Sequence, residues 1–304
     1  MCRRVGSRAQ ARFSTQGENI ERVASPSVAF PFYLPGDDPG PSFAELLRRT
    51  GGCPPAPSGP IDDVTHGTTV VALRYAEGVV MAGDRRATSG NLISHRTMEK
   101  VFPADRHSGV AIAGAAGPAV EMVRLFQLQL EHYEKVEGVE LSLEGKANQL
   151  SVMVRNHLPA AMQGLMVVPL FAGYDLRRGA GRLFQYDVTG GRYEESDFAT
   201  NGSGRLHAGT VVKLGYREGV DRTGALDLAI SALFQAADED SATGGPDLVR
   251  GIYPTMATIT TAGFERVDAD EVAARFRQLV ERLSTPEGTA STGATPTIRG
   301  GGAS

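Results

Sequence analysis

Apolar positions begin to recur at regular spacing from Thr69 onward. Thr69–Tyr75 is rich in β-branched residues, and Gly78–Gly83 is a second apolar run, joined to the first by Ala76-Glu77-Gly78. Two short apolar runs flanking a turn predict a β-hairpin. Centring the turn on those three residues gives paired residue numbers that sum to about 154. That register sets Asp84 near Val70 and Arg86 near Thr68. A third strand around Met98–Phe102 would bring Lys100 into the same corner. A fourth, Gly109–Ala113, runs into Gly114-Ala115-Ala116-Gly117.

The period then changes from two to 3.6. Val120, Val123, Phe126, Leu130 and Tyr133 recur at helical spacing, with Pro118 suited to the first helical position and Gly138 to the end. A second helix is predicted from Ser142 through Ala147, Leu150, Val154 and Leu158, and Pro159 should kink or shorten it. Met166–Tyr174 reads as a long apolar strand, and Arg182–Tyr186 and Gly191–Glu195 read as a strand pair about Thr189-Gly190-Gly191. Two helices over Leu206–Tyr216 and Ala225–Ala237, a strand over Thr255–Thr261 and a last helix follow. Asp268 and Glu271 have capping-box spacing for that helix, which carries Val272, Phe276, Leu279 and Leu283.

Strands and helices therefore come in blocks rather than in strict alternation. That order predicts an α+β fold, a four-layer α-β-β-α sandwich of antiparallel sheets with paired helices outside.

Residues 1–67 have a different texture. Nine of the 17 prolines fall there: Pro26, Pro31, Pro35, Pro39, Pro41, Pro54, Pro55, Pro57 and Pro60. Such a segment cannot hold a long helix or a central strand. One helical turn is signalled at Ser42-Phe43-Ala44-Glu45-Leu46-Leu47. Residues 285–304, rich in Gly, Thr, Ser and Pro, read as a loose tail. The division is thus a leader over 1–67, one domain over 68–284 and the tail.

Composition narrows the function. The chain has 304 residues and 41% hydrophobic content, enough for a large core. A net charge of −4 gives no electrostatic case for nucleic acid or an anionic membrane. No apolar run is long enough to cross a bilayer, and no apolar segment follows Arg3, Arg4, Arg8 and Arg12, which argues against a secretory signal. Both cysteines, Cys2 and Cys53, precede Thr68. A chain beginning at Thr68 would have no cysteine nucleophile, thiolate zinc site or disulfide, as suits a cytoplasmic protein. The six histidines lack metal-ligand spacing, and no Gly-x-Ser-x-Gly elbow or Walker loop occurs, so neither metal nor cofactor is expected.

The organising stretch is His66-Gly67-Thr68-Thr69-Val70-Val71. A threonine hydroxyl needs a base, and an N-terminal threonine carries one in its own α-amine. That amine has a reference pKa of about 7.7–8, so part of it is neutral near pH 7. Inside a peptide bond the nitrogen cannot take a proton. Cleavage between Gly67 and Thr68 would therefore switch such a chain on. Taken alone, Gly-Thr-Thr is more simply a loop entering a strand.

Other residues carry two readings. Asp84, before Arg85-Arg86-Ala87-Thr88-Ser89-Gly90, is a turn aspartate or a carboxylate holding Lys100 and the Thr68 hydroxyl. Lys100 is an edge lysine or a buried charge lowering the cost of an alkoxide. Gly114 to Gly117 is a tight turn or a backbone N–H donor to an oxyanion. Ser203, between Gly202 and Gly204, is a helix cap or a site hydroxyl. Asp240-Ser241-Ala242-Thr243-Gly244-Gly245 is a helix end or part of the same site.

Together these segments resemble the β-subunit of the 20S proteasome, of the type found in actinobacteria, from Gly67 to about Leu283. The resemblance rests on Gly67-Thr68-Thr69-Val70-Val71, Ala82-Gly83-Asp84-Arg85-Arg86-Ala87-Thr88, Glu99-Lys100-Val101, Gly202-Ser203-Gly204 and Asp240 to Gly245, all in order. It implies an N-terminal-nucleophile hydrolase fold and removal of residues 1–67 by self-cleavage. It makes Thr68 the nucleophile, Asp84 and Lys100 its polar partners and Gly114 the oxyanion donor. Ser203, Asp240 and the Ser241/Thr243 loop would steady the amine and a catalytic water, with Thr243 standing where many members have serine. Ala87, Thr88, Met98, Ile112 and Ala116 would bind substrate and line a mostly apolar pocket, implying cleavage after hydrophobic residues. Partners implied are other β-subunits in rings of seven, flanking α-subunit rings, an ATPase ring, and unfolded or tagged protein substrates. A simpler two-ring bacterial threonine protease resembles the chain around Thr68 and Asp84, but its members have no long leader. A non-catalytic ring subunit would lack the Thr68, Asp84 and Lys100 set.

Overall fold

The structure is a computed structural model that describes residues 65–284. The helical turn expected at 42–47 and the tail beyond 284 lie outside the described residues. The strands are β1 (Thr65–His66), β2 (Thr69–Tyr75), β3 (Gly78–Gly83), β4 (Ala87–Ser89), β5 (Leu92–His95), β6 (Val101–Asp105), β7 (Ser108–Gly114), β8 (Val167–Asp175), β9 (Ala180–Tyr186), β10 (Arg192–Glu195), β11 (Phe198–Gly202), β12 (Thr255–Thr260) and β13 (Gly263–Arg266). The helices are α1 (Ala116–Glu137), α2 (Leu143–Asn156), α3 (Leu158–Ala161), α4 (Arg205–Gly215), α5 (Arg222–Glu239) and α6 (Ala269–Ser284).

Two five-stranded antiparallel sheets stack face to face, in the orders β11-β2-β3-β12-β13 and β10-β9-β8-β7-β6. The expected four layers are present, and strand alternation explains them. On β2, Val71, Leu73 and Tyr75 pack toward α4, α5 and α6, while Val70 and Ala72 face the other sheet. On β7, Val110 and Ile112 pack toward α1 and α2, while Ala111 and Ala113 face inward. Both faces of the central strands are dry, so they read as continuous apolar runs. Between the sheets lie small and medium residues, Ala72, Ala111, Ala113, Ala172 and Ala257 beside Val79, Met81 and Leu170.

The hairpin register is one residue from the expected one. Val70 pairs with Gly83 and Tyr75 with Gly78, across a two-residue turn of Ala76 and Glu77. Asp84 therefore comes beside Thr69 instead of Val70, and its N–H donates to the Thr69 carbonyl at 3.1 Å. A one-residue slip changes which face each side chain takes. Lys100 also differs: it precedes β6, which belongs to the opposite sheet from β3.

Helix α1 starts at Ala116, which puts Pro118 third rather than first. That position also lacks an intrahelical acceptor, so the missing N–H costs nothing. The buried face is Ala119, Met122, Val123, Phe126 and Leu130, with Val120 half-buried and Tyr133 exposed. Gly138 ends the helix in the left-handed region at φ 72°. Ser142 caps α2 by accepting from the Gly145 N–H at 3.1 Å. Pro159 shortens α2 as expected: the helix stops at Asn156, and Leu158 and Pro159 start the separate turn α3. At α6, Asp268 accepts from the Asp270 N–H, but Glu271 turns to Arg222 and Arg275 instead of closing a capping box.

Strands β4, β5, β11 and β13 carry no readable sequence signal. β5 is exposed along its whole length, so no burial alternation marks it.

Candidate active site

Thr68 immediately precedes β2, Asp84 immediately follows β3, and Lys100 immediately precedes β6 in the facing sheet. The site thus lies where the two sheets open. All three residues are buried, with Lys100 and Asp84 at 0% exposure.

Asp84 is the hub. Its Oδ1 accepts from the Thr69 N–H at 2.7 Å and from Lys100 Nζ at 2.7 Å. Its Oδ2 accepts from the Arg86 N–H at 2.9 Å and the Gly244 N–H at 2.8 Å. Four donors offset the desolvation of a buried carboxylate. Lys100 uses all three of its hydrogens. Besides Asp84 they go to the carbonyl oxygens of Gly67, at 3.0 Å, and Arg86, at 2.5 Å. Burial pushes the ammonium below its ordinary pKa, and the Asp84 carboxylate opposes that.

Thr68 donates its hydroxyl to the Gly67 carbonyl oxygen at 2.6 Å. That oxygen therefore receives both the Thr68 hydroxyl and the Lys100 ammonium. Gly67 has φ 118°, a backbone that L side chains rarely adopt. A Cβ there would come within 2.5 Å of Thr88 Oγ1 and 2.9 Å of the Ala242 carbonyl. Gly67→Ala should accordingly slow cleavage at this bond by roughly 5- to 150-fold, the range of about 1–3 kcal/mol of backbone strain. Timed mass spectra of the Gly67→Ala chain check this.

The second group faces Thr68 from the other side. The Ser203 N–H and hydroxyl approach the Thr68 carbonyl at 2.8 and 3.2 Å. Ser203 Oγ also donates to Asp240 Oδ2 at 2.5 Å, and Thr243 Oγ1 donates to the same oxygen at 2.6 Å. Burial raises the Asp240 pKa, but the hydrogen bonds from Ser203, Thr243 and the Ala242 N–H outweigh it and hold the carboxyl below its usual range.

Gly114 ends β7 with φ 115°, and a Cβ there would meet the Met166 carbonyl at 2.0 Å, so only glycine fits. Ile112 donates its N–H to the Lys100 carbonyl at 2.9 Å, which aligns the end of β7 with Lys100. Of the expected substrate-binding residues, Ala87 and Thr88 lie on β4, Ile112 on β7, and Ala116 opens α1. Met98 bonds through its N–H to the Arg85 carbonyl and packs with Ile112 against the core under α1. The residues before Gly67 run along β4: Thr65 pairs with Ser89 and His66 with Thr88, antiparallel.

Three contributors were given no role of their own in the sequence reading. Arg86 receives Lys100 on its carbonyl and donates from Nη1 to the Ser241 carbonyl at 3.0 Å. The Gly244 N–H reaches Asp84 across 160 positions. Thr69 Oγ1 lies 2.6 Å from Thr243 Oγ1 and accepts from the Gly204 N–H at 3.0 Å; its one hint is the doubled threonine. Larger cavities, of about 410 Å³ beside His107 and Lys146 and about 540 Å³ beside Leu128 and Val136, contain none of these residues. No cluster of metal-ligating side chains exists among the described residues.

The arrangement suits acyl transfer. A hydroxyl and a fixed cation meet at one carbonyl; a carboxylate hub holds the cation and the Thr69 N–H, not the Thr68 hydroxyl as expected, and a second carboxylate is held by two hydroxyls nearby. The proteasome subunit family model matches residues 64–249. A proteasome subunit beta of Acidimicrobium ferrooxidans is 58% identical over 259 residues, covering 83% of this chain and 95% of that protein. One of Streptomyces griseus is 56% identical over 245 residues, covering 80% and 86%. One of Acidothermus cellulolyticus is 54% identical over 276 residues, covering 85% and 92%.

Proposed function

Because this chain belongs to the proteasome subunit family, we propose that it is a proteolytic subunit of the proteasome core, a threonine endopeptidase whose nucleophile is Thr68. The observation that carries this reading is the Lys100 ammonium, fully buried and held by Asp84 against the carbonyl that Thr68 touches. A fixed cation at that carbonyl stabilises the oxyanion formed when Thr68 Oγ1 attacks its carbon.

Activation and catalysis use the same atoms. In the first, Thr68 Oγ1 bonds to the Gly67 carbonyl carbon, its proton passes to the nitrogen, the Gly67–Thr68 C–N bond breaks, and the nitrogen leaves as the neutral Thr68 amine. Water hydrolyses the resulting ester, and residues 1–67 depart with Gly67 as their carboxyl end. In each later turnover the amine takes the Thr68 hydroxyl proton as Oγ1 attacks a substrate carbonyl. The proton passes to the leaving amine, and water then releases the acyl fragment. Gly114 supplies an N–H to the oxyanion. Ser203, Asp240 and Thr243 steady the amine and the attacking water.

A substrate strand would take the place of β1 along β4, by strand addition. Ala87, Met98, Ile112 and Ala116 would give a mainly apolar pocket there, and Thr88 the backbone contact. The domain would comprise residues 68–284, with residues 285–304 a tail. Assembly would be into rings of seven with α-subunit rings outside, fed by an ATPase ring with unfolded or tagged proteins in the cytoplasm. No described helix is long and apolar enough to cross a membrane.

The direct test is the intact mass and N-terminal sequence of the chain co-expressed with its α-subunit partner. A species beginning at Thr68 is the expected result. A full-length chain in assembled particles would overturn the reading and point to a structural subunit.

A further inference from the structure

We infer that Thr69 is a positioning residue for the proposed reaction, acting through Thr243 and Asp240 on the base that activates Thr68. The inference rests on the reading of Thr68 as nucleophile. Thr69 is fully buried and does not itself face the reacting carbonyl through its side chain; its hydroxyl lies between the Gly204 N–H and Thr243.

The direction of the hydrogen bonds follows from what each group can do. A backbone N–H only donates, so Thr69 Oγ1 must accept from Gly204. Asp240 carries a carboxylate, which only accepts, so Thr243 gives it its single hydrogen at 2.6 Å. The 2.6 Å contact between the two threonine hydroxyls can then be filled only by the hydrogen of Thr69. A one-way chain results, from Gly204 N–H through Thr69 and Thr243 to Asp240 Oδ2. Each hydroxyl polarises the next. Without Thr69, Thr243 has no donor on that side and its hydroxyl is free to turn away from Asp240.

The consequence reaches Thr68 through one hydroxyl. Ser203 Oγ touches both Asp240 Oδ2, at 2.5 Å, and the Thr68 carbonyl, at 3.2 Å. The one hydrogen of Ser203 serves both acceptors, so the charge left on Asp240 decides how Ser203 holds the residue that carries the amine in the cut chain. Charge on Asp240 that Thr243 no longer shares would favour the protonated amine. A protonated amine cannot act as a base, so the acid limb of the rate profile should move to higher pH.

The test uses the full chain assembled with its α-subunit partner and a short peptide substrate with a hydrophobic residue at the cut. Thr69→Val keeps shape and strand preference but removes the hydroxyl; Thr69→Ser restores it. The expected result is a kcat lower by roughly tenfold or more for Thr69→Val. KM should stay near its original value, the acid limb should move upward, and Thr69→Ser should recover both kcat and limb. A Thr69→Val enzyme with unchanged kcat and limb would overturn the inference. So would equal loss in Thr69→Val and Thr69→Ser, which would assign the role to the methyl group. Should Thr69→Val not assemble, Thr69→Ala against Thr69→Ser makes the same comparison. A parent chain never cut at Thr68, or one still active as Thr68→Ala, would instead remove the nucleophile reading beneath it.

Discussion

Thr68→Ala should leave a chain of precursor length and lower peptidase activity by about 10⁴-fold or more. The structure separates this variant from one that merely unfolds. Thr68 contributes one side-chain hydrogen bond, to the Gly67 carbonyl, while the strand contacts from Ser203 N–H and the ladder with β11 belong to its backbone and to Thr69. Alanine keeps those. Assembly and helix content should therefore stay as in the parent, while mass spectra show an uncut chain. Full activity in Thr68→Ala would sink the proposal outright, because no other hydroxyl touches the Gly67 carbonyl among the contacts described. Thr68→Ser is the informative companion: it keeps hydroxyl and amine, and should be cut and active at a reduced rate.

Lys100→Ala should also block self-cleavage, but for a different reason. It removes the cation from the Gly67 carbonyl and leaves Asp84 facing two N–H donors on Oδ2 and one on Oδ1. Breaking a buried pair typically costs about 3–5 kcal/mol, so a lower melting temperature is expected with the loss of processing. A second arm separates the two effects. The same substitution in a chain produced already starting at Thr68 should fold and assemble, yet stay inactive at temperatures well below its midpoint. Normal self-cleavage by Lys100→Ala would remove Lys100 from the mechanism.

Much of the fold was legible because its long strands are dry on both faces and its helices have strong 3.6-residue periodicity. Val70–Tyr75 and Phe126–Leu130 announce their states without help from elsewhere. The failures were local. The β2–β3 register depended on whether the turn holds two residues or three, which Ala76-Glu77-Gly78 does not decide. Leu92–His95 forms a strand with nothing buried to mark it. The site divides along the same line. Thr68, Asp84 and Lys100 were found because chemistry-bearing residues stood at strand ends. Ser203, Asp240 and Thr243 entered only through the resemblance, and the backbone support of Asp84 was not legible. Gly244 approaches Asp84 across 160 positions, and the contact is made by backbone, which no side-chain pattern reveals.

The antiparallel pairing of β1 on β4 sets an order of departure. A chain laid on β4 in that direction presents its C-terminal end to Thr68, so it is gripped only upstream of the cut. Under the proposed reading, the downstream piece of a substrate would leave first, carrying the new amine, since among the described residues this sheet offers it no strand partner. The upstream piece stays behind as the ester, zipped by two residue pairs, Thr65 with Ser89 and His66 with Thr88. Under the proposed reading, recognition along β4 would fall on the acyl side of the cut, and the residues that follow it would be read little by this sheet.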